Sequence, residues 1–195
     1  MECALPGGVG EGGALNILAI SGSLRAVSSN TALLRAAALL APQGMEVRLY
    51  GGLGDLPHFN PDLEASEPPA VTDLREQVRW ADGLLISSPE YAHGVPGVLK
   101  NALDWLVGGE EFVYKPVALF NASPRSTHAQ ASLMETVKTM SGRLVEEASI
   151  AVQLLGRNLD ERGIVEDPEI SASVREALAA FALTIERQSH GPERV

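Results

Sequence analysis

Cysteine is almost missing from this chain: Cys3 is the only one in 195 residues. One thiol excludes an internal disulfide and a thiolate metal centre, and the pattern is that of a reducing compartment, so the cytoplasm is the expected location. No apolar run approaches the roughly 20 residues that cross a bilayer. The first residues lack a basic region followed by a continuous apolar stretch, so no secretory signal is expected. Positive charge is scarce too, with 15 Lys and Arg against 25 Asp and Glu and a formal net charge of −10. That balance speaks against nucleic acid, whose binding rests on basic contacts to phosphate, and against an anionic membrane surface. The histidines, His58, His93, His128 and His190, are too scattered for a metal motif. No acid–base dyad stands out, so no catalytic side chain and no metal are assigned.

Two phosphate-binding signatures are also absent or misplaced. There is no Gly-Lys-Ser/Thr, which rules out the P-loop of nucleoside triphosphatases. A literal G-x-G-x-x-G occurs at Gly8, Gly10 and Gly13, but no strand precedes it, so it lacks the context that gives it meaning. Residues 1–14 read as a flexible, Gly-rich leader before one domain spanning 15–190, a natural size for a single core.

What is present is organised around Leu15 to Asn30. Leu15, Ile17, Leu18, Ala19 and Ile20 form a short apolar run suited to a buried strand. The run stops at Ser21-Gly22-Ser23, where Gly22 is expected to permit the turn. Ala32, Leu33, Ala36, Ala37 and Leu40 then repeat with helical spacing, and Ser28, Ser29 and Asn30 suit the N-cap. A strand, a hydroxyl-rich turn with Arg25, and a helix N-terminus together favour an anion. The alternative is an ordinary connection whose serines only cap the helix.

Further along, Met45–Tyr50 reads as a second strand, Gly51–Pro69 as a long irregular connection, and Pro69–Ala81 as a helix. Gly83–Ser87 is apolar almost throughout, as the centre of a parallel sheet requires. A helix over Pro96–Val107, a strand over Pro116–Asn121 and a helix over Ala129–Met140 follow. A fifth strand is expected within Ala148–Gln153, and a last helix over Pro168–Arg187 with Ser171 or Ser173 as its cap. Alternation of strand and helix predicts an α/β flavodoxin-like three-layer sandwich, a five-stranded parallel sheet of order 2-1-3-4-5 with helices on both faces. Ligands then bind beyond the carboxyl ends of the first and third strands.

The loop after the third strand fits that rule. It runs Ser88-Pro89-Glu90-Tyr91-Ala92-His93-Gly94-Val95-Pro96-Gly97, stiffened by two prolines, with Tyr91 adding an aromatic edge; the alternative is a rigid strand–helix turn with an incidental tyrosine. The pairing of Gly-Ser-Leu-Arg-x-x-Ser-x-Asn (Gly22 to Asn30) with Pro-Glu-Tyr…Pro-Gly-x-Leu-Lys-Asn-Ala-x-Asp-Trp (Pro89 to Trp105) resembles the NADPH-dependent FMN reductases, a group that includes quinone, chromate and azo-dye reductases. The resemblance implies that the first loop holds the FMN phosphate through Ser21, Ser23, Arg25, Ser28, Ser29 and Asn30. It implies that Pro89, Glu90, Tyr91, Ala92 and His93 pack against the flavin ring; in the loop after the fourth strand Ser123, Ser126 and Thr127 are able to hydrogen-bond a ring edge, and Arg125 is able to meet a nicotinamide dinucleotide phosphate. It also implies a homodimer or homotetramer, with Leu99, Leu103 and Leu106 near a dimer contact; from spacing alone that stripe equally suits packing on the chain's own sheet.

Two positions depart from the family. Ala92 stands where many members have Asn, and Pro124-Arg125 stands where glycines are usual, a change that either meets a dinucleotide phosphate or narrows the site. The implied activity is an FMN-dependent NAD(P)H oxidoreductase passing hydride to quinone, azo, metal or flavin acceptors by a ping-pong mechanism. A flavodoxin-like electron carrier and a non-enzymatic relative with a weakened flavin site are the alternatives.

Overall fold

Short strands build the sheet, apolar almost throughout at its centre and alternating at Met45–Leu49. A computed structural model describes residues 14–189; the leader assigned to 1–14, with Cys3 and the three glycines, lies outside the described residues apart from Ala14, as does His190. Strands β1 (Leu15–Ser21), β2 (Met45–Leu49), β3 (Gly83–Ser87) and β4 (Pro116–Asn121) alternate with helices α1 (Ser29–Leu40), α2 (Pro69–Trp80) and α3 (Gly97–Val107). Beyond them come α4 (Thr127–Thr139), the two-residue strands β5 (Arg143–Leu144) and β6 (Ile150–Ala151), α5 (Glu161–Glu166) and α6 (Pro168–Ser189).

The sheet order is β2-β1-β3-β4-β5, all parallel, with β6 also paired to β4. The fifth place in the sheet is therefore shared by two short strands rather than filled by one. Val145 N–H still bonds the Val117 carbonyl, then a single tight turn at Glu146–Ala148 breaks the pairing before it resumes at Phe120–Ile150.

Pleating sends alternate residues to opposite faces. Ile17, Ala19, Leu85, Ala118 and Phe120 pack under α1, α5 and α6. Leu18, Ile20, Leu84, Ile86, Val117 and Leu119 pack under α2, α3 and α4. Helix α6 lies so close to β3 that a Cβ on Gly83 would sit 2.7 Å from Phe181 Cζ and 2.9 Å from Ile185 Cδ1. Leu99, Leu103 and Leu106 of α3 are buried in this second core, so the stripe packs on the chain's own sheet.

Two local expectations change. Gly22 has no positive φ; its lack of a side chain serves packing, because a Cβ there would meet Leu99 Cδ2 at 3.1 Å and Ser88 Oγ at 3.3 Å. The last helix is capped by Asp167, whose Oδ1 accepts from Ile170 N–H at 3.0 Å, while Ser171 and Ser173 donate to carbonyls one turn back. The Ile170 amide first, and Arg157 second, hold the Asp167 carboxyl below the usual carboxylate range.

Candidate cofactor site

Three loops meet beyond the carboxyl ends of β1, β3 and β4, where parallel α/β sheets place their ligands. The first is a chain of short side-chain ties. Ser21 Oγ accepts from Ser23 N–H at 3.3 Å and shares a 2.8 Å hydrogen bond with Thr31 Oγ1. Ser23 Oγ accepts from Arg25 N–H, and Ser28 Oγ caps α1 by accepting from Thr31 N–H, both at 3.4 Å. The amides of Ser29 and Asn30 find no partner among the described residues, so the first turn of α1 keeps the free donors of a helix start.

Asn30 is fixed from the neighbouring strand. Ser87, fully buried at the end of β3, donates to Asn30 Oδ1 at 2.9 Å, and Ser87 O accepts from Gly22 N–H at 2.8 Å. With its oxygen engaged, Asn30 has its two amide hydrogens free for the cavity it lines. Arg25 is exposed and forms no ion pair among the described residues. An acidic chain thus keeps one uncompensated guanidinium at a free helix N-terminus.

The second and third loops are clasped together by Glu90. Its Oε2 accepts from Ala129 N–H at 2.8 Å, in the first turn of α4, where the preceding Ser126 supplies no cap. Its Oε1 faces His93 Nδ1 at 3.1 Å, and the His93 ring meets that of His128 edge-on with centroids 4.3 Å apart. The Ala129 amide is the main cause, and His93 a lesser one, that holds the Glu90 carboxyl below its ordinary value. His93, a histidine with no evident partner in the sequence, is one arm of this clasp. The turn that carries it has φ of 49° at Ala92 and 61° at His93, closing a Tyr91–Gly94 bridge. Two successive left-handed residues are the signature of a tight hairpin turn that favours Asn and Gly. In the third loop Asn121 Oδ1 accepts from Ser123 N–H at 2.9 Å, which bends the chain back beneath the cavity.

The cavity among these loops has a volume of about 230 Å³. Of the residues expected from sequence, Ser23, Arg25, Ser28, Ser29, Asn30, Pro89, Glu90, Tyr91 and Ser123 line it. Ser21, Ala92, His93 and Arg125 are not on its wall. Ser21 lies below the first loop holding Ser23, Ala92 and His93 form the outer turn, and Arg125 is exposed beside Pro124 with only its backbone tied to Ser123. The bulk at Pro124-Arg125 therefore sits outside the cavity. Ser88, Asn121, Ala122, Ser126 and Leu155 complete the wall. Ser126 was expected from sequence as a hydroxyl for a ring edge, loop position was the available signal for Ser88, Asn121 and Ala122, and Leu155 arrives from beyond β6 with no sequence cue.

Chemically, the site joins a cluster of free N–H, hydroxyl and guanidinium donors to the partly apolar wall made by Pro89, Tyr91 and Ala122. Among the described residues no cluster of His, Cys, Asp and Glu is arranged to hold a metal ion, and no helix is long and apolar enough to cross a membrane. The sequence model of the NADPH-dependent FMN reductases matches residues 15–153. An NAD(P)H-dependent FMN reductase of Pseudomonas aeruginosa is 35% identical over 179 residues, covering 89% of this chain and 96% of its own. A quinone reductase of Escherichia coli K12 is 39% identical over 113 residues, 56% of this chain and 60% of that one. Among solved structures, the flavoenzyme NAD(P)H:(acceptor) oxidoreductase FerB of Paracoccus denitrificans superposes with a TM-score of 0.80 at 29% identity, covering 89% of this chain and 98% of its own.

Proposed function

The chain belongs to the NADPH-dependent FMN reductase family, and from that premise we propose that it is an FMN-carrying NAD(P)H oxidoreductase acting on small acceptors such as quinones, azo compounds, metal ions or free flavin. One observation carries the reading: unpaired donors from Arg25, Ser29 and Asn30 line the same cavity as Pro89 and Tyr91. That donor set fits a phosphate monoester, and the partly apolar wall fits a planar ring.

When bound, FMN supplies the acceptance of hydride from NAD(P)H and its delivery to the acceptor, in a ping-pong sequence. The protein's own residues bind and orient. The Ser29 and Asn30 amides, with Ser23, Ser28 and Arg25, take the phosphate oxygens, and Arg25 is suited to hold two of them at once. Asn30 Nδ2 donates at the edge of this cradle because Ser87 occupies its oxygen. Pro89 and Tyr91 form part of the cavity wall, and Ser123 and Ser126 offer hydroxyls to a ring edge. Glu90 acts as a positioning residue, holding the second and third loops at a fixed separation. Tyr91 is 54% exposed, which keeps the cavity accessible to donor and acceptor in turn. We place the enzyme in the cytoplasm as a homodimer or homotetramer. An apolar hollow beside the site, lined by Leu24, Tyr91, Pro96 and Val98, supports such an assembly.

The test is to load the purified protein with FMN and follow NADH and NADPH oxidation with benzoquinone. Turnover that requires both FMN and quinone is expected. Loss of the reading follows from a loaded protein that oxidises neither donor.

A further inference from the structure

The phosphate cradle is not a closed end. Behind it lies a second chamber of about 360 Å³, and Arg25, Ser28, Ser29 and Leu155 line both. The first chamber alone, about 230 Å³, falls short of the roughly 300–1,000 Å³ usual for ligand pockets, and the two together lie within that range. A single ligand that occupies both chambers passes the phosphate position, where the shared residues Arg25, Ser28 and Ser29 stand.

The second chamber has three kinds of wall. Arg35, exposed on α1, adds a second guanidinium without an ion pair among the described residues. Val27 and Leu155 are 83% and 58% exposed and give an apolar surface to a flat base. Glu161 and Asp160, at the start of α5, offer carboxylate acceptors, Asp160 through Oδ2 because its Oδ1 caps the helix by accepting from Gly163 N–H at 2.8 Å. A carboxylate beside a nucleotide suits free ribose hydroxyls and repels a 2′-phosphate.

A further phosphate, an unsubstituted ribose and a purine are together the adenylate half of FAD. We propose that this second chamber binds that half, so that the site accepts FAD with its flavin in the first chamber as well as FMN. The proposal rests on the reading of the first chamber as a flavin phosphate site. Arg35 takes the outer phosphate, Val27 and Leu155 flank the adenine, and Glu161 or Asp160 accepts from the ribose.

The experiment titrates wild-type protein and Arg35→Ala with FMN and with FAD, reading quenching of flavin fluorescence. Alanine at an exposed helix position favours the helix, and circular dichroism checks the fold. Wild-type affinity for FAD is expected to match or exceed that for FMN. Arg35→Ala is expected to weaken FAD about tenfold or more, as loss of a charge-assisted hydrogen bond does, while FMN stays within about twofold. FMN binding with FAD rejected, or FAD binding indifferent to Arg35→Ala, overturns the proposal and leaves the first chamber standing. Failure of both flavins overturns both readings. If Arg35→Ala raises KM for NADH or NADPH in the FMN-loaded enzyme while sparing FAD affinity, the chamber serves the donor's adenylate end and the proposal also fails.

Discussion

Replacing Ser87 tests whether a buried hydroxyl outside the cavity sets the aim of a donor inside it. Ser87 is fully buried and donates to Asn30 Oδ1 at 2.9 Å, while Asn30 borders the cavity. In Ser87→Ala the Asn30 oxygen loses its donor but reaches cavity water, so the cost is that of one ordinary hydrogen bond, about 0.5–1.5 kcal/mol. For a domain of this size that lowers Tm by about 1–6 °C. Asn30→Ala is worse, because the Ser87 hydroxyl is left buried without its acceptor, at about 1–3 kcal/mol. The double variant removes both partners, so a cycle of urea titrations returns a coupling of about 1 kcal/mol. On the functional side, Asn30→Ala weakens FMN about tenfold through the lost amide donor. Ser87→Ala weakens it several-fold although Ser87 touches no ligand, because the freed amide no longer presents its nitrogen to the cavity. The reasoning is refuted if the two stability changes add within about 0.3–0.5 kcal/mol and Ser87→Ala binds FMN like the parent.

Other parts of the account make their own demands. Gly83→Ala forces a Cβ to within 2.7 Å of Phe181 Cζ and is expected to cost about 1–3 kcal/mol by overpacking, measured in urea; a neutral result means α6 does not press on β3. Ala92→Asn replaces a residue at φ 49° with one that tolerates the left-handed region, and a gain of about 1 kcal/mol is expected, read as a rise in Tm. Glu90→Gln loosens the start of α4, so amide exchange at Ala129 quickens and FMN binds several-fold more weakly. Because the Glu90 carboxyl is held low by Ala129 and then His93, its clasp is complete at neutral pH and above the ordinary carboxylate pKa. It is lost as pH falls through the lowered value, so the protection of the Ala129 amide, measured against its intrinsic exchange rate at each pH, drops only in acid, and Glu90→Gln abolishes that dependence.

The parts of the fold legible in the sequence were those with an unbroken apolar run or a helical period. Gly83–Ser87 and Pro116–Asn121 are buried on both faces and read as unbroken apolar runs, and α1 and α6 carry their stripes openly. At the fifth strand position Ile150–Ala151 lies within the Ala148–Gln153 stretch expected to hold a strand, whereas Arg143–Leu144 was not legible, because two residues carry no period and gain their identity from β4. Glu161–Glu166 is too short for a helical period to emerge. At the site, the loops of Ser23–Asn30 and Pro89–Tyr91 were legible as turn chemistry after buried strands. The ties that set their geometry were not: Ser87 to Asn30 spans 57 residues and Glu90 to Ala129 spans 39, and pattern reading has no signal for a contact the fold creates. Gly22 illustrates the same limit, since its neighbour Leu99 belongs to α3.

The most direct measurement compares FMN with riboflavin, which differ only in the phosphate. If the turn from Ser23 to Asn30 is a phosphate cradle, equilibrium titration of the purified protein gives FMN an affinity about 100-fold or more above riboflavin, as several charge-assisted hydrogen bonds together require. That advantage collapses in Arg25→Ala combined with Ser23→Ala. Equal affinities for the two flavins, or an advantage that survives the double substitution, contradict the account.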